Sequence, residues 1–234
     1  MSMALIPALA VPVLLHIAPS PTENNRYAKL LLRHDALRIA YTVYFGERPG
    51  AGERRKMDRD GDGTIDEAEQ QAFARAVADE VGPLVKVEVD GVPARAGWTV
   101  TDVGLGTPSA SGGSFSVDLA LEAALPPGDE HTLWLEDTWP IPDPGESEVR
   151  VETAPGVALL ASHPGREGKG ILSHYTWKGT ALTTMTVRFR TDASKGQAAP
   201  LEASEPARRR WIWWVVGVAA IAAVAATALA RRRG

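Results

Sequence analysis

The sequence predicts an α+β protein: a mainly antiparallel, β-sandwich-like domain with a loop-helix unit inserted near its start, and one transmembrane helix at the C-terminus. Three observations carry this. Short runs of alternating apolar and polar residues recur between turn residues from position 84 onward. An aspartate-rich loop over residues 58–69 leads directly into a stretch with helical periodicity. Residues 211–230 (WIWWVVGVAAIAAVAATALA) contain no charge over 20 positions, the length a helix needs to cross about 30 Å of hydrocarbon.

Residues 27–45 contain two apolar, partly alternating runs split by Arg33, His34 and Asp35, which predicts a β-hairpin. Pro49 and Gly50 then break the pattern, so residues 53–57 are expected to form only a short helical turn. After the acidic loop, residues 66–81 place Phe73, Ala76, Val77 and Val81 on one helical face, with Gly82-Pro83 as the expected stop. The runs LVKVEVDG (84–91), 98–105, SFSVDLALEAAL (114–125), HTLWLED (131–137), SEVRVETA (147–154) and MTVRFRTD (185–192) read as strands. Asp90-Gly91, Gly112-Gly113, 126–128 and 142–145 read as turns between them.

The resulting organisation is a signal-like hydrophobic segment (1–24), a β-rich domain (25–193) carrying the loop-helix unit at about 53–81, a polar linker (194–210), the span (211–230) and a short tail (231–234). Arginine triplets bracket the span, and Trp211, Trp213 and Trp214 gather at one end of it, where indoles favour the headgroup region. The apolar N-terminus, followed by a Pro-rich polar stretch, resembles an export signal. The expected location is therefore a single-pass membrane protein, with the domain extracytoplasmic and only the tail cytoplasmic.

A net charge of −4 and a pI near 5.8 argue against nucleic acid as a partner. The absence of cysteine excludes disulfides, thiolate metal sites and cysteine nucleophiles. His16, His34, His131, His163 and His174 are scattered without metal-ligand spacing, and no nucleophile signature accompanies them, so no catalytic residue is assigned. Glu146, Glu148 and Glu152 read as a solvated strand face, the glycine-rich piece 104–113 as a turn, and Trp134, Trp139 and Trp177 as core.

One motif carries chemistry. Asp58-Arg59-Asp60-Gly61-Asp62-Gly63-Thr64-Ile65-Asp66-Glu67-Ala68-Glu69 satisfies D-x-[DN]-x-[DN]-G-x5-E at every specified position. The chance of such a match in a chain of this length is on the order of one in a thousand. Carboxylates packed this closely repel one another unless a cation neutralises them. On these residues the segment resembles the EF-hand calcium-binding superfamily. That resemblance implies Ca²⁺ held by the side chains of Asp58, Asp60 and Asp62, the Thr64 carbonyl, Asp66 directly or through water, and Glu69 as a bidentate ligand, with Gly63 making the sharp turn. Ile65 is expected to enter the core or a short strand pairing. A single loop without a matching second one predicts calcium in a structural role, on a domain that serves as an interaction module for an unknown protein partner.

A second resemblance rests on the order of elements: His16 with Pro19, a strand pair, the acidic loop, a helix and then strands. It is similar to the exported N-terminal domains of bacterial nickel/cobalt permeases. It implies the alternative of an accessory domain in divalent-metal transport, with His16 or the loop also taking nickel or cobalt.

Overall fold

A computed structural model describes residues 21–94, 97–142, 144–178 and 183–191. The chain divides into two units, Met1–Gly196 and Gln197–Gly234. The second unit, with the expected span 211–230, and most of the signal-like segment including His16 lie outside the described residues. Among the described residues no helix is long and apolar enough to cross a membrane.

The alternating runs become strands of two sheets. β1 (Asn24–Leu32), β2 (Ala36–Phe45), β5 (Thr99–Gly104), β6 (Phe115–Ala124), β8 (Pro144–Thr153) and β10 (His174–Lys178) form the first, in the order β10-β8-β1-β2-β6-β5. The second comprises β3 (Val85–Val89), β4 (Val92–Pro93), β7 (Glu130–Asp137), β9 (Val157–Pro164) and β11 (Thr183–Thr191), in the order β4-β3-β7-β11-β9. Alternate residues point inward, so Leu30, Ile39, Val43, Val117 and Leu119 of one sheet share a core with Val87, Leu133, Leu135, Val187 and Phe189 of the other. The protein is thus β-rich α+β, with sheets that are mostly antiparallel.

Several elements depart from expectation. Residues 53–57 belong to an 11-residue helix, α1 (Glu47–Met57), and not to an isolated turn. Pro49 falls in its first turn, where a missing N–H costs nothing, and a Cβ on Gly50 would lie 3.1 Å from Phe45 and 3.2 Å from Phe115. The residues that look like breakers therefore start the helix and let it approach the sheet.

α2 (Glu67–Leu84) continues through Gly82 and Pro83, and the Leu84 carbonyl accepts from both the amide and the hydroxyl of Thr138. Its buried face is Ala74, Val77, Ala78 and Val81, with Phe73 half-buried, whereas Ala76 is exposed. β9 and β10 have no counterpart among the expected strands. They are edge strands, and in the five residues of β10 only Tyr175 and Trp177 turn inward. Residues 144–145 begin β8 instead of completing a turn.

The pairing of β1 with β8 is parallel, the exception among the strand pairs of the two sheets. Two asparagines make it. Asn24 Nδ2 donates to the Pro142 carbonyl at 2.6 Å, and Asn25 Oδ1 accepts from the Glu146 amide at 2.7 Å within the bulge of the ladder. Of the three tryptophans expected in the core, Trp139 is buried and Trp177 is half-buried beside Tyr175. Trp134 faces outward between Leu133 and Leu135, with the Arg166 guanidinium 3.6 Å above its ring. Two of the outer carboxylates have side-chain partners: Glu152 pairs with Lys29 at 2.7 Å, and Glu148 lies 3.0 Å from His174 Nε2.

A polar network crosses the core between the sheets. Arg26 and Asp137, each 4% exposed, lie 2.9 Å apart, and Tyr41 donates its hydroxyl to the other Asp137 oxygen at 2.8 Å. Arg26 also reaches the Trp139 carbonyl and Ser147 Oγ, both at 2.9 Å. Burial pushes the Asp137 carboxyl above its ordinary value, and Arg26 and Tyr41 pull it part of the way back. Removing one partner strands a buried charge. Arg26→Met is expected to cost about 3–5 kcal/mol in denaturant unfolding. Adding Asp137→Leu and Tyr41→Phe to it should recover most of that loss.

Candidate metal centre

The acidic segment starts where α1 ends. The Asp58 amide donates to the Arg54 carbonyl at 3.1 Å, so the first carboxylate is fixed to the last turn of the helix. From there the loop folds around its own side chains. Asp58 Oδ1 accepts from the Gly61 amide at 2.9 Å and Oδ2 from the Gly63 amide at 3.0 Å. Asp60 accepts from the Asp62 amide at 3.1 Å, and Asp62 from the Thr64 amide at 2.6 Å. These turns require positive φ at Gly61 (73°) and Gly63 (85°), a conformation open to glycine at little cost.

α2 closes the loop. Asp66 caps the helix by accepting from the Glu69 amide at 2.8 Å, while Glu69 Oε2 accepts from the Asp66 amide at 3.1 Å, a reciprocal capping box. Glu69 Oε1 reaches back across the loop to the amides of Arg59 at 2.6 Å and Asp60 at 3.4 Å. Glu69 is 9% exposed, a buried carboxylate that accepts from three backbone amides.

The outcome is that oxygens of Asp58, Asp60 and Glu69 all lie within 4.8 Å of one another. Three carboxylate oxygens this close could hold one metal ion among them. The donors are all oxygen, which suits a hard cation better than nickel or cobalt. The four described histidines are elsewhere: His34 beside the Pro155 carbonyl, His131 on Asp90, His163 beside the Pro164 carbonyl and His174 on Glu148.

Of the remaining residues expected at the site, Asp62 is exposed and occupied with the Thr64 amide, and Asp66 is the helix cap. Thr64 forms an isolated antiparallel bridge with Ser109. Ile65 takes both of its expected places. It is 1% exposed in the core, and its amide donates to the Pro108 carbonyl at 2.7 Å. The Ala110 amide returns to the Gly63 carbonyl at 3.0 Å, so the piece 104–113 is not a simple turn but pairs with the acidic loop through an isolated bridge. Phe45, Phe73 and Phe115 pack beneath the unit with centroids 4.5–6.1 Å apart, joining both helices to the first sheet.

Arg54 is 0% exposed, and its residue type does not announce it. Nothing in the basic run Arg54-Arg55-Lys56 distinguishes the buried member from the exposed ones, since its partners are backbone carbonyls and leave no trace in residue types.

Compared with known proteins, the sequence matches no family model and no curated protein.

The capping role of Asp66 can be measured by itself. Asp66→Ala should destabilise the cation-free chain by about 1 kcal/mol through loss of the cap. Asp66→Asn, which keeps a capping oxygen, should leave that stability within a few tenths of a kcal/mol of wild type. Chemical denaturation in the presence of chelator measures both.

Proposed function

We propose that the chain binds one calcium ion through residues 58–69 and that the ion stabilises the fold. Asp58, Asp60, Asp62, Asp66 and Glu69 act with the Thr64 carbonyl as its ligands. The observation that carries the reading is the convergence of Asp58, Asp60 and Glu69 within 4.8 Å, in a loop whose amides are already turned onto its carboxylates. The hydrogen bonds order the carboxylates but leave their negative charges close together, and a bound cation supplies the missing neutralisation. When bound, the ion would contribute that charge and a fixed centre around which the carboxylates stay put. The residues of the chain do the rest: Glu69 ties the helix to the loop, and Gly61 and Gly63 admit its turns.

A structural role fits better than a sensor role. Phe73 of α2 packs on Phe45 and Phe115 of the sheet, Gly50 of α1 lies close against the same two residues, and the loop pairs with a non-acidic segment, so among the described residues no second acidic loop stands ready to move with it. On this reading the domain is a non-catalytic interaction module, displayed outside the cytoplasm by the apolar segment 211–230, for a protein partner that the sequence does not name.

Calorimetric titration of the full chain in detergent micelles tests the calcium assignment. One site per chain is expected, and a hundredfold excess of free calcium over Kd should add about 2.7 kcal/mol of stability, seen as a higher melting temperature. Glu69→Gln should lose both signals, and Mg²⁺ should bind more weakly because it demands tighter octahedral geometry. An unchanged melt and no binding heat with wild type would refute the assignment.

A further inference from the structure

We infer that Arg54 is a positioning residue for the acidic loop, and that through it cation occupancy is coupled to the order of the 105–111 connection between β5 and β6. This rests on the calcium reading above. Arg54 touches both sides of the arrangement. Its carbonyl accepts the Asp58 amide at 3.1 Å, fixing the first residue of the loop. Its side chain turns the other way: Nε donates to the Ser109 carbonyl at 3.0 Å, one terminal nitrogen to the Leu105 carbonyl at 3.2 Å, and the other to the Thr107 carbonyl. The next residues along that connection, Pro108 and Ala110, exchange backbone hydrogen bonds with Ile65 and Gly63 of the loop. One side chain thus holds the segment against which the loop is built.

Among the described residues, the connection's hydrogen bonds apart from those to Arg54 and the loop are short-range ones of its own, such as Ser111 with Ser109 and the Thr107 amide on the Leu105 carbonyl. Gly106, Gly112 and Gly113 make it conformationally free, with φ of 71° at Gly106 and 105° at Gly113, and only Leu105 and Ala110 are buried apolar residues. Among the described residues no carboxylate lies within ion-pair distance of Arg54, so its charge is met by carbonyl oxygens and by the Phe115 ring 5.7 Å away. A planar guanidinium can bond three carbonyls spread over five residues at once, which a point-like ammonium cannot. Its position in the last turn of α1 also complements the negative end of that helix.

Coupling of this kind is reciprocal: if the ordered connection favours the ion, the ion must favour the ordered connection by the same factor. The amides of Ile65 and Ala110 report it, because each donates across the loop-connection bridge. Hydrogen exchange of the full chain should show calcium slowing both amides by about tenfold or more, within the usual range for linked sites. Arg54→Met, which keeps the stem and removes the donors, should bind calcium about tenfold more weakly and lose the added protection at Ala110. Arg54→Lys should fall between. A purely structural Arg54 would lower the melting temperature while leaving the affinity of the folded chain unchanged, and that result overturns the inference. So does calcium protection that stops at Ile65 without reaching Ala110, a measurement on wild type that decides the matter even where Arg54→Met does not fold. Wild type that takes no calcium refutes the calcium reading itself, and the coupling with it.

Discussion

Carboxylates held within a few ångströms of one another repel, and in this protein the repulsion is built into the junction on which the rest of the N-terminal half depends. Asp58, Asp60 and Glu69 meet within 4.8 Å because α1 delivers the first, the turns at Gly61 and Gly63 fold the second inward, and α2 swings the third back over both. Backbone amides offset part of the cost of gathering them. The proposed cation offsets the remainder. The loop is tied to the core, since Ile65 is buried in it and Phe73 of α2 packs against Phe45 and Phe115 of the first sheet. Electrostatics at the surface and packing in the interior are therefore two ends of one structure.

A second polar centre, distant in sequence, joins the sheets themselves. Arg26, Tyr41 and Asp137 are buried, the first two both bonded to Asp137, and drawn from both layers. Such a network contributes less to stability than an apolar core of equal volume, but each member is costly to remove singly. Here it also fixes where the chain crosses between layers, because Asp137 and Arg26 hold the amide and carbonyl of Trp139, the residue that leads toward β8. The parallel pairing of β1 and β8 then follows from the asparagine contacts at the start of β1.

Much of this is legible in the residues, and the reasons differ by element. The hairpin of β1 and β2 is visible because both strands alternate and their turn is polar; α2 is visible from its apolar spacing and the acidic residues that cap it. α1 is hidden by Pro49 and Gly50, whose positions in the first turn and against Phe45 only the tertiary structure explains. β9 and β10 are hidden because edge strands bury too few side chains to leave a pattern. At the candidate site the carboxylates announce themselves through spacing. The pairing with residues 108–110 and the grip of Arg54 run through backbone atoms, to which sequence patterns are blind.

Diffraction from crystals of the protein grown in calcium tests the central claim most directly. A bound ion predicts a single strong peak about 2.3–2.6 Å from oxygens of Asp58, Asp60 and Glu69, with the Thr64 carbonyl also in its shell. A loop that keeps the same hydrogen bonds around water alone, at calcium concentrations far above the millimolar range of extracellular sites, would contradict it.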